Sequence, residues 1–175
     1  MVPFAKTGGL ADVVGTLAEE IHGCGHEVIA FLPRYRCIDL ARFKAEKVLD
    51  SLEVEIGSEK EKGCVFKYTA KNGINVYLID HKAFFDRDEL YGTLMSDYPD
   101  NDRRFIFFQR AVIKTLIALK IKTNVIHCHD WQTGLIPVYI KTLYAHESVF
   151  QKVKTVFTIH NLAYQGTFPP DSLPL

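Results

Sequence analysis

Four short apolar runs, at residues 28–32, 74–79, 125–128 and 153–159, each read as a strand, and stretches of helical periodicity precede three of them. Strands alternating with helices specify an α/β fold built on a doubly wound, mostly parallel sheet. That assignment decides where chemistry is sought, because ligands of such sheets gather at the carboxyl ends of the strands.

The first helix is expected over 10–22, where Leu10, Val13, Val14, Leu17, Ala18 and Ile21 recur at helical spacing. Gly23 and Gly25 mark its end. Pro33 closes the strand that follows, and 36–47 holds at most a short helix. Residues 52–56 alternate apolar and charged, as a half-exposed strand does, and 65–69 and 74–79 flank Asn72-Gly73, a dipeptide suited to a tight hairpin turn. Residues 84–101 have loop composition over a length that is uncommon for a passive connector. Helices are expected over 103–119, with Phe107, Ala111 and Leu116 inward, and over 131–144. Beyond 159 the prolines and Gly166 end regular structure.

Composition narrows the function classes. Hydrophobic residues make up 47% of the 175, enough for a core, and 21 basic residues balance 21 acidic ones. A neutral chain has no electrostatic reason to bind nucleic acid or an anionic membrane. No stretch approaches the ~20 apolar residues of a membrane helix. Cys24, Cys37, Cys64 and Cys128 form no C-x-x-C pair, so free thiols in a reducing compartment are expected rather than a zinc site. The opening Met1-Val2-Pro3-Phe4-Ala5-Lys6 carries no long apolar run, which adds to the expectation of a cytoplasmic protein.

Three segments sit where strands and helices meet. Lys6-Thr7-Gly8-Gly9-Leu10 precedes the first helix. Two glycines admit a ligand close to the backbone, a helix start presents N–H groups, and Lys6 adds a charge, a combination suited to a pyrophosphate or a sugar phosphate. The segment is neither a Walker loop nor a G-x-G-x-x-G, and a plain glycine-rich helix entry is the alternative. His127-Cys128-His129-Asp130-Trp131 crosses from a strand end into a helix, with His127 and His129 on one strand face. It fits a polar ligand site, a helix capped by Asp130 beside packed histidines, or a metal site. Thr158-Ile159-His160-Asn161, continuing to Gly166, again follows a strand and offers planar hydrogen-bonding groups suited to sugar hydroxyls, or a capped loop with a satisfied histidine.

At these residues the chain resembles the glycogen and starch synthase family. The likeness lies in Pro3-Phe4-Ala5-Lys6-Thr7-Gly8-Gly9-Leu10-Ala11-Asp12, in Phe85-Asp86-Arg87 with Tyr91-Gly92, in Asp100-Asn101-Asp102-Arg103-Arg104-Phe105, in His129-Asp130-Trp131-Gln132-Thr133-Gly134, and in the segment from Thr158 to Gly166. It runs in order from residue 3 to about 170. The resemblance implies a GT-B architecture of two Rossmann-like domains. It implies a retaining transfer of glucose from ADP-glucose, or UDP-glucose, to the non-reducing end of an α-1,4-glucan, without a metal or other cofactor. By the same resemblance Lys6, Gly8 and Gly9 face the donor diphosphate and glucose, and Asp12 lies near the acceptor. Asp130 and His160 flank the transferred glucose, with Trp131 and Asn161 shaping the pocket. His160 is expected to act through its backbone oxygen, and the three segments are expected to meet at one rim.

The family pattern also includes a strand before the lysine-glycine loop and a C-terminal nucleotide-binding domain, and neither is read within these 175 residues. Only five residues precede Lys6, so a sheet without its first strand is expected, and each neighbouring N–H or C=O left buried and dry would cost ~1–3 kcal/mol. The 175 residues alone are accordingly expected to be inactive. Other readings are a non-catalytic glucan-binding fragment, a metal-dependent hydrolase on His127, His129, Asp130 and His160, and a nucleotide-sugar epimerase. The hydrolase lacks H-E-x-x-H, and the epimerase lacks both a dinucleotide fingerprint and Tyr-x-x-x-Lys.

Overall fold

The computed structural model describes all residues, 1–175. They form two compact units, one of residues 1–52 and 62–98, the other of 53–61 and 99–175.

The first unit holds α1 (Gly9–Gly23), β1 (Ile29–Pro33), α2 (Leu40–Phe43), β4 (Asn75–Asp80) and α3 (Lys82–Phe85), with most of β2 (Glu46–Ile56) and β3 (Glu59–Thr69). Their sheet has the order β1-β4-β3-β2. β1 lies parallel to β4 with Phe31 opposite Tyr77, and β3 lies antiparallel to β4 with Lys67 opposite the same Tyr77. The sheet is therefore mixed: the expected parallel pairing holds at β1–β4, and a hairpin extends it.

That hairpin is longer than its sequence suggests. β2 and β3 have 11 residues each, and they join across Gly57-Ser58, where Gly57 takes φ +58°. Charged residues dilute the apolar alternation in both strands, which hides their outer halves. The Asn72-Gly73 turn is also wider than a two-residue loop. Thr69 faces Asn75, leaving 70–74 as the connection, with Gly73 at φ +90° and its N–H donated to Ala70 O at 2.9 Å.

α1 buries a different stripe from the expected one. Ala11, Gly15 and Ala18 are buried, whereas Val13 and Ile21 are exposed. The cause is the chain's first residues. Val2 N donates to Ala11 O at 3.0 Å, and a Cβ on Gly15 would stand 3.2 Å from Val2 O. Only small residues allow that approach. Residues 1–5 form a turn closed on Met1 O, not a strand, as expected. Phe4 is buried beside Phe43 and Tyr68, at centroid distances of 4.6 and 5.7 Å. The long loop begins after Phe84 and Phe85, which are buried in α3, and Arg36 anchors it by donating from Nε to Asp86 Oδ1 at 2.9 Å.

The second unit holds α4 (Asn101–Ala118), β5 (Val125–His129), α5 (Ile136–Lys141) and β6 (Lys154–Thr158). β5 and β6 pair in parallel, with His127 opposite Val156 and His129 opposite Thr158. α4 supplies the core through Phe105, Phe107, Ala111, Ile113 and Leu116, all buried. The tip of the β2–β3 hairpin completes it, with Val54 and Ile56 fully buried and Lys114 Nζ donating to Glu53 O (2.9 Å) and Glu55 Oε2 (2.5 Å).

The helix expected over 131–144 is broken. A three-residue 3₁₀ turn, Trp131–Thr133, is followed by the six-residue α5. Pro137 explains the break: it has no N–H to give Thr133 O, and its ring would clash with that carbonyl in a continuous helix. No helix of the chain is long and apolar enough to cross a membrane.

Candidate functional site

The residues singled out by sequence fall into two groups, Lys6, Gly8, Gly9 and Asp12 in the first unit and Asp130, Trp131, His160 and Asn161 in the second.

In the first group, Gly8 precedes α1 in an extended conformation, and no side chain caps the helix start. A Cβ on Gly8 or Gly9 would meet nothing within 4 Å. Neither residue has the positive φ that demands glycine. Packing and backbone geometry thus give no reason for two glycines here. Lys6 Nζ lies 2.8 Å from both carboxylate oxygens of Asp12, and both side chains are about half exposed.

In the second group, parallel pairing brings two strand ends together. Asp130, one residue beyond β5, donates its N–H to Thr158 O at 2.9 Å. Its Oδ1 accepts the backbone N–H of His160 at 2.7 Å. Asp130 itself holds φ 56° and ψ −177°, a region that costs a residue other than glycine about 1–3 kcal/mol. Its side chain does not cap the following turn, so the helix-cap reading gives way. The carboxylate instead ties the loop after β6 to the end of β5.

Three imidazoles pack beside this tie. The rings of His127 and His129 stack at 4.2 Å, as their shared strand face requires, and the rings of His129 and His160 lie 5.2 Å apart at 27°. His127 Nε2 is 2.7 Å from Thr158 Oγ1, and His129 Nδ1 is 3.0 Å from His160 Nε2. Burial, with the charges of His127 and His160 adding to it, pushes the His129 pKa down to about 4, and burial lowers that of His127. These rings are bonded to one another and to a hydroxyl, and no group of three metal-ligating side chains converges.

Trp131 is held edge-on between Phe105 (4.9 Å) and Phe168 (5.4 Å). Gly166, at φ +65°, lies so close that a Cβ there would stand 2.6 Å from the indole. Asn161 Oδ1 accepts from Ala163 N at 2.9 Å, which shapes the exposed loop. A cavity of about 780 Å³ borders this group, walled by Phe105, Gln109, Asp130, Trp131, Ile159 and Tyr164 among others. Its charged lining residues are Asp102 and Asp130, with no cation. Two carboxylates without a cation disfavour a diphosphate in this cavity, whose walls are otherwise mostly apolar.

Several positioning residues escape sequence reasoning. Thr133 Oγ1 accepts from His129 N (2.7 Å) and donates toward His129 O (2.9 Å). Gln109 is buried in α4, and its Oε1 accepts from Leu135 N at 2.6 Å. Thr133 stands three residues after Asp130, where a local hydroxyl bond was legible in principle; nothing local marks Gln109. The motif Asp100 to Phe105 both braces the unit and reaches the cavity, through Asp102 and Phe105. Arg103 pairs with Glu59 at 2.5 Å, and Asp102 accepts from Ser172 Oγ, also at 2.5 Å.

The family model for the starch synthase catalytic domain matches residues 1–175. The chain belongs to that family. Glycogen synthase 2 of Geobacter sulfurreducens is 44% identical over 173 residues, which are 99% of this chain and 36% of that protein. The glycogen synthase of Elusimicrobium minutum is 45% identical over 169 residues, 95% of this chain and 34% of that protein. Among solved structures, the catalytic domain of starch synthase IV from Arabidopsis thaliana, bound to ADP and acarbose, matches with a TM-score of 0.86 at 34% identity, over 99% of this chain and 34% of that one. The α/β architecture is therefore that of a starch synthase catalytic domain, and the chain spans about a third of the length of its relatives. Within the family match lie both groups of residues described above.

Proposed function

We propose that this chain is the acceptor-side, N-terminal part of a retaining glucosyltransferase that moves glucose from ADP-glucose to the non-reducing end of an α-1,4-glucan. The observation that carries the proposal is the Asp130–His160 tie. A strained aspartate fixes the backbone of a histidine at the carboxyl ends of two parallel strands, where α/β sheets bind ligands. Membership of the starch synthase family supplies the reaction class. The Arabidopsis relative bound to ADP and acarbose supports a nucleotide diphosphate and an oligosaccharide as the ligand types.

In this reading Asp130 and His160 hold the glucose, His160 by its ring as well as by its backbone oxygen, and Trp131 and Asn161 fix the loops around it. Lys6, Gly8 and Gly9 take the diphosphate. Glucosyl departure builds negative charge on that group, and an ammonium with N–H dipoles aimed at it lowers the barrier. A diphosphate competes with Asp12 for the Lys6 ammonium, which leaves the Asp12 carboxylate to the acceptor hydroxyls.

The test joins this chain to the remaining residues of the Geobacter sulfurreducens relative and assays glucan elongation from ADP-glucose. The chimera is expected to elongate a primer, and its Lys6→Ala and His160→Ala variants to lose most of that activity. The 175 residues alone are expected to transfer nothing, because the nucleotide base is assigned to residues outside them. Full activity in both variants would defeat the assignment. Binding of glucan without transfer by the chimera would favour the reading as a glucan-binding module.

A further inference from the structure

We propose that His129 is a positioning residue that fixes the tautomer of the His160 ring, and so decides whether the far nitrogen of His160, Nδ1, donates or accepts a hydrogen bond. The proposal rests on the reading above that His160 contacts the transferred sugar, and adds a residue to that site.

The geometry comes from strand register. His129 lies opposite Thr158 in the parallel pair, so the chain two residues on returns His160 to the side of His129. His129 Nδ1 and His160 Nε2 then stand 3.0 Å apart. Two ring nitrogens at that distance share one hydrogen, so one ring donates and the other accepts. Each tautomer thereby dictates the other. If His160 Nε2 carries the hydrogen, its Nδ1 is a bare acceptor. If His129 Nδ1 carries it, His160 Nδ1 is an N–H donor. A solvated imidazole exchanges freely between these forms, whereas across the bridge neither ring changes form unless the other changes with it, so His160 keeps the form that complements His129.

The His129 ring cannot turn away from the contact at little cost, and the His160 ring packs against it at 5.2 Å. His129 is stacked on His127 at 4.2 Å, and Thr133 Oγ1 holds its backbone N–H and carbonyl. His127 is in turn held by Thr158 Oγ1. The backbone of His160 is fixed by Asp130 Oδ1 at 2.7 Å. The ionisable groups around His129 are His127, His160 and Asp130. With its pKa down at about 4, His129 is neutral near pH 7, so its Nδ1 meets His160 as a donor or as an acceptor and never as part of an imidazolium. A second proton on the pair would have to sit on an outer nitrogen, since two N–H groups cannot face each other across the bridge.

The experiment labels the histidines of the 175-residue chain with ¹⁵N and records long-range ¹H–¹⁵N correlations at pH 7. His129 and His160 are each expected as one tautomer, with opposite protonation at the two bridging nitrogens. In His129→Phe, His160 is expected to relax to a mixture of tautomers, whereas His129→Asn, which keeps a hydrogen-bonding atom near Nδ1, retains one form. His127→Phe, which keeps a ring in the stack, leaves His160 as one form. A tautomer mixture at His160 in the unsubstituted chain overturns the proposal, and this result needs no variant to fold. An unchanged His160 tautomer in His129→Phe overturns it as well. No nucleotide sugar or glucan enters the measurement, so its outcome is independent of the transfer assay. A locked ring together with full transfer by the His160→Ala chimera would remove the sugar contact and leave the positioning intact.

Discussion

The backbone N–H of His160 donates to Asp130 Oδ1 at 2.7 Å, across 30 residues of sequence, while Asp130 holds a backbone conformation with φ 56° and ψ −177°. One residue thus combines an unfavourable backbone with a favourable side-chain bond, and substitution can separate the two. Asp130→Ala removes the bond and keeps the strain, so it should destabilise the fold by about 1–3 kcal/mol. Asp130→Gly also removes the bond but releases a strain of about the same size, 1–3 kcal/mol, and should come out near neutral. Urea unfolding of both variants checks the order. If the alanine variant is as stable as the glycine variant, Asp130 is not strained.

Gly166 offers a test with an optical signal, since Trp131 is the single tryptophan of the chain. A Cβ at 166 would stand 2.6–2.7 Å from indole atoms, and φ there is +65°. Gly166→Ala should therefore destabilise the chain by about 1–3 kcal/mol and shift the tryptophan emission toward that of a more exposed indole. An unchanged emission maximum with unchanged stability would show that the loop yields without disturbing Trp131.

The elements legible in the sequence are those whose signal is local. α4 announces itself by period, and the Phe107, Ala111 and Leu116 face is buried as expected. β5 and β6 are short apolar runs with clear stops. The misreadings come from partners distant in sequence. Val13 and Ile21 carry the apolar stripe of α1, yet the turn from Met1 to Ala5 packs on Ala11 and Gly15 instead. Pro137 was visible inside the expected 131–144 helix, and its missing N–H outweighed the periodicity around it. At the site, Asp130 and His160 stood out by motif. The bond between them depends on β5–β6 register, and the burial of Gln109 on packing of the whole unit. No window of local sequence contains either.

The imidazole stack makes stability depend on pH above the range where carboxylates titrate. The His129 pKa falls from an ordinary 6.5 to about 4, chiefly by burial, and that of His127 falls for the same leading reason. Both groups bind protons more readily unfolded than folded. Their contribution is present above pH ~6.5 and is lost as pH falls toward 4. The carboxylates with lowered pKa, Glu55 and Asp86, titrate below the histidine window, while the Met1 ammonium, whose pKa burial lowers from 8.0, adds a loss of the same sign across its upper part. Urea midpoints measured from pH 7.5 to 5 should fall with pH, and His129→Asn should flatten the slope. A flat profile in the unsubstituted chain would mean that the stack accommodates a proton.

The lysine-glycine loop allows stability and ligand binding to be separated. Gly9 is the first residue of α1, its φ is not positive, and a Cβ there meets nothing within 4 Å. Gly9→Ala should leave the fold intact and stabilise it by about 0.4–1 kcal/mol, through a smaller unfolded-state entropy. Lys6→Ala removes a half-exposed ion pair with Asp12, worth at most ~1 kcal/mol. If the loop exists to admit a diphosphate, both changes should nevertheless weaken the chimera's binding of ADP. Lys6→Ala does so by loss of charge, and its remaining affinity should depend less on salt. Gly9→Ala does so by a methyl group where the phosphate approaches the backbone. Calorimetric titration with ADP at two salt concentrations, beside thermal unfolding, reads both quantities. Unchanged ADP affinity in both variants would mean that the paired glycines serve neither fold nor ligand, and the diphosphate assignment would fall.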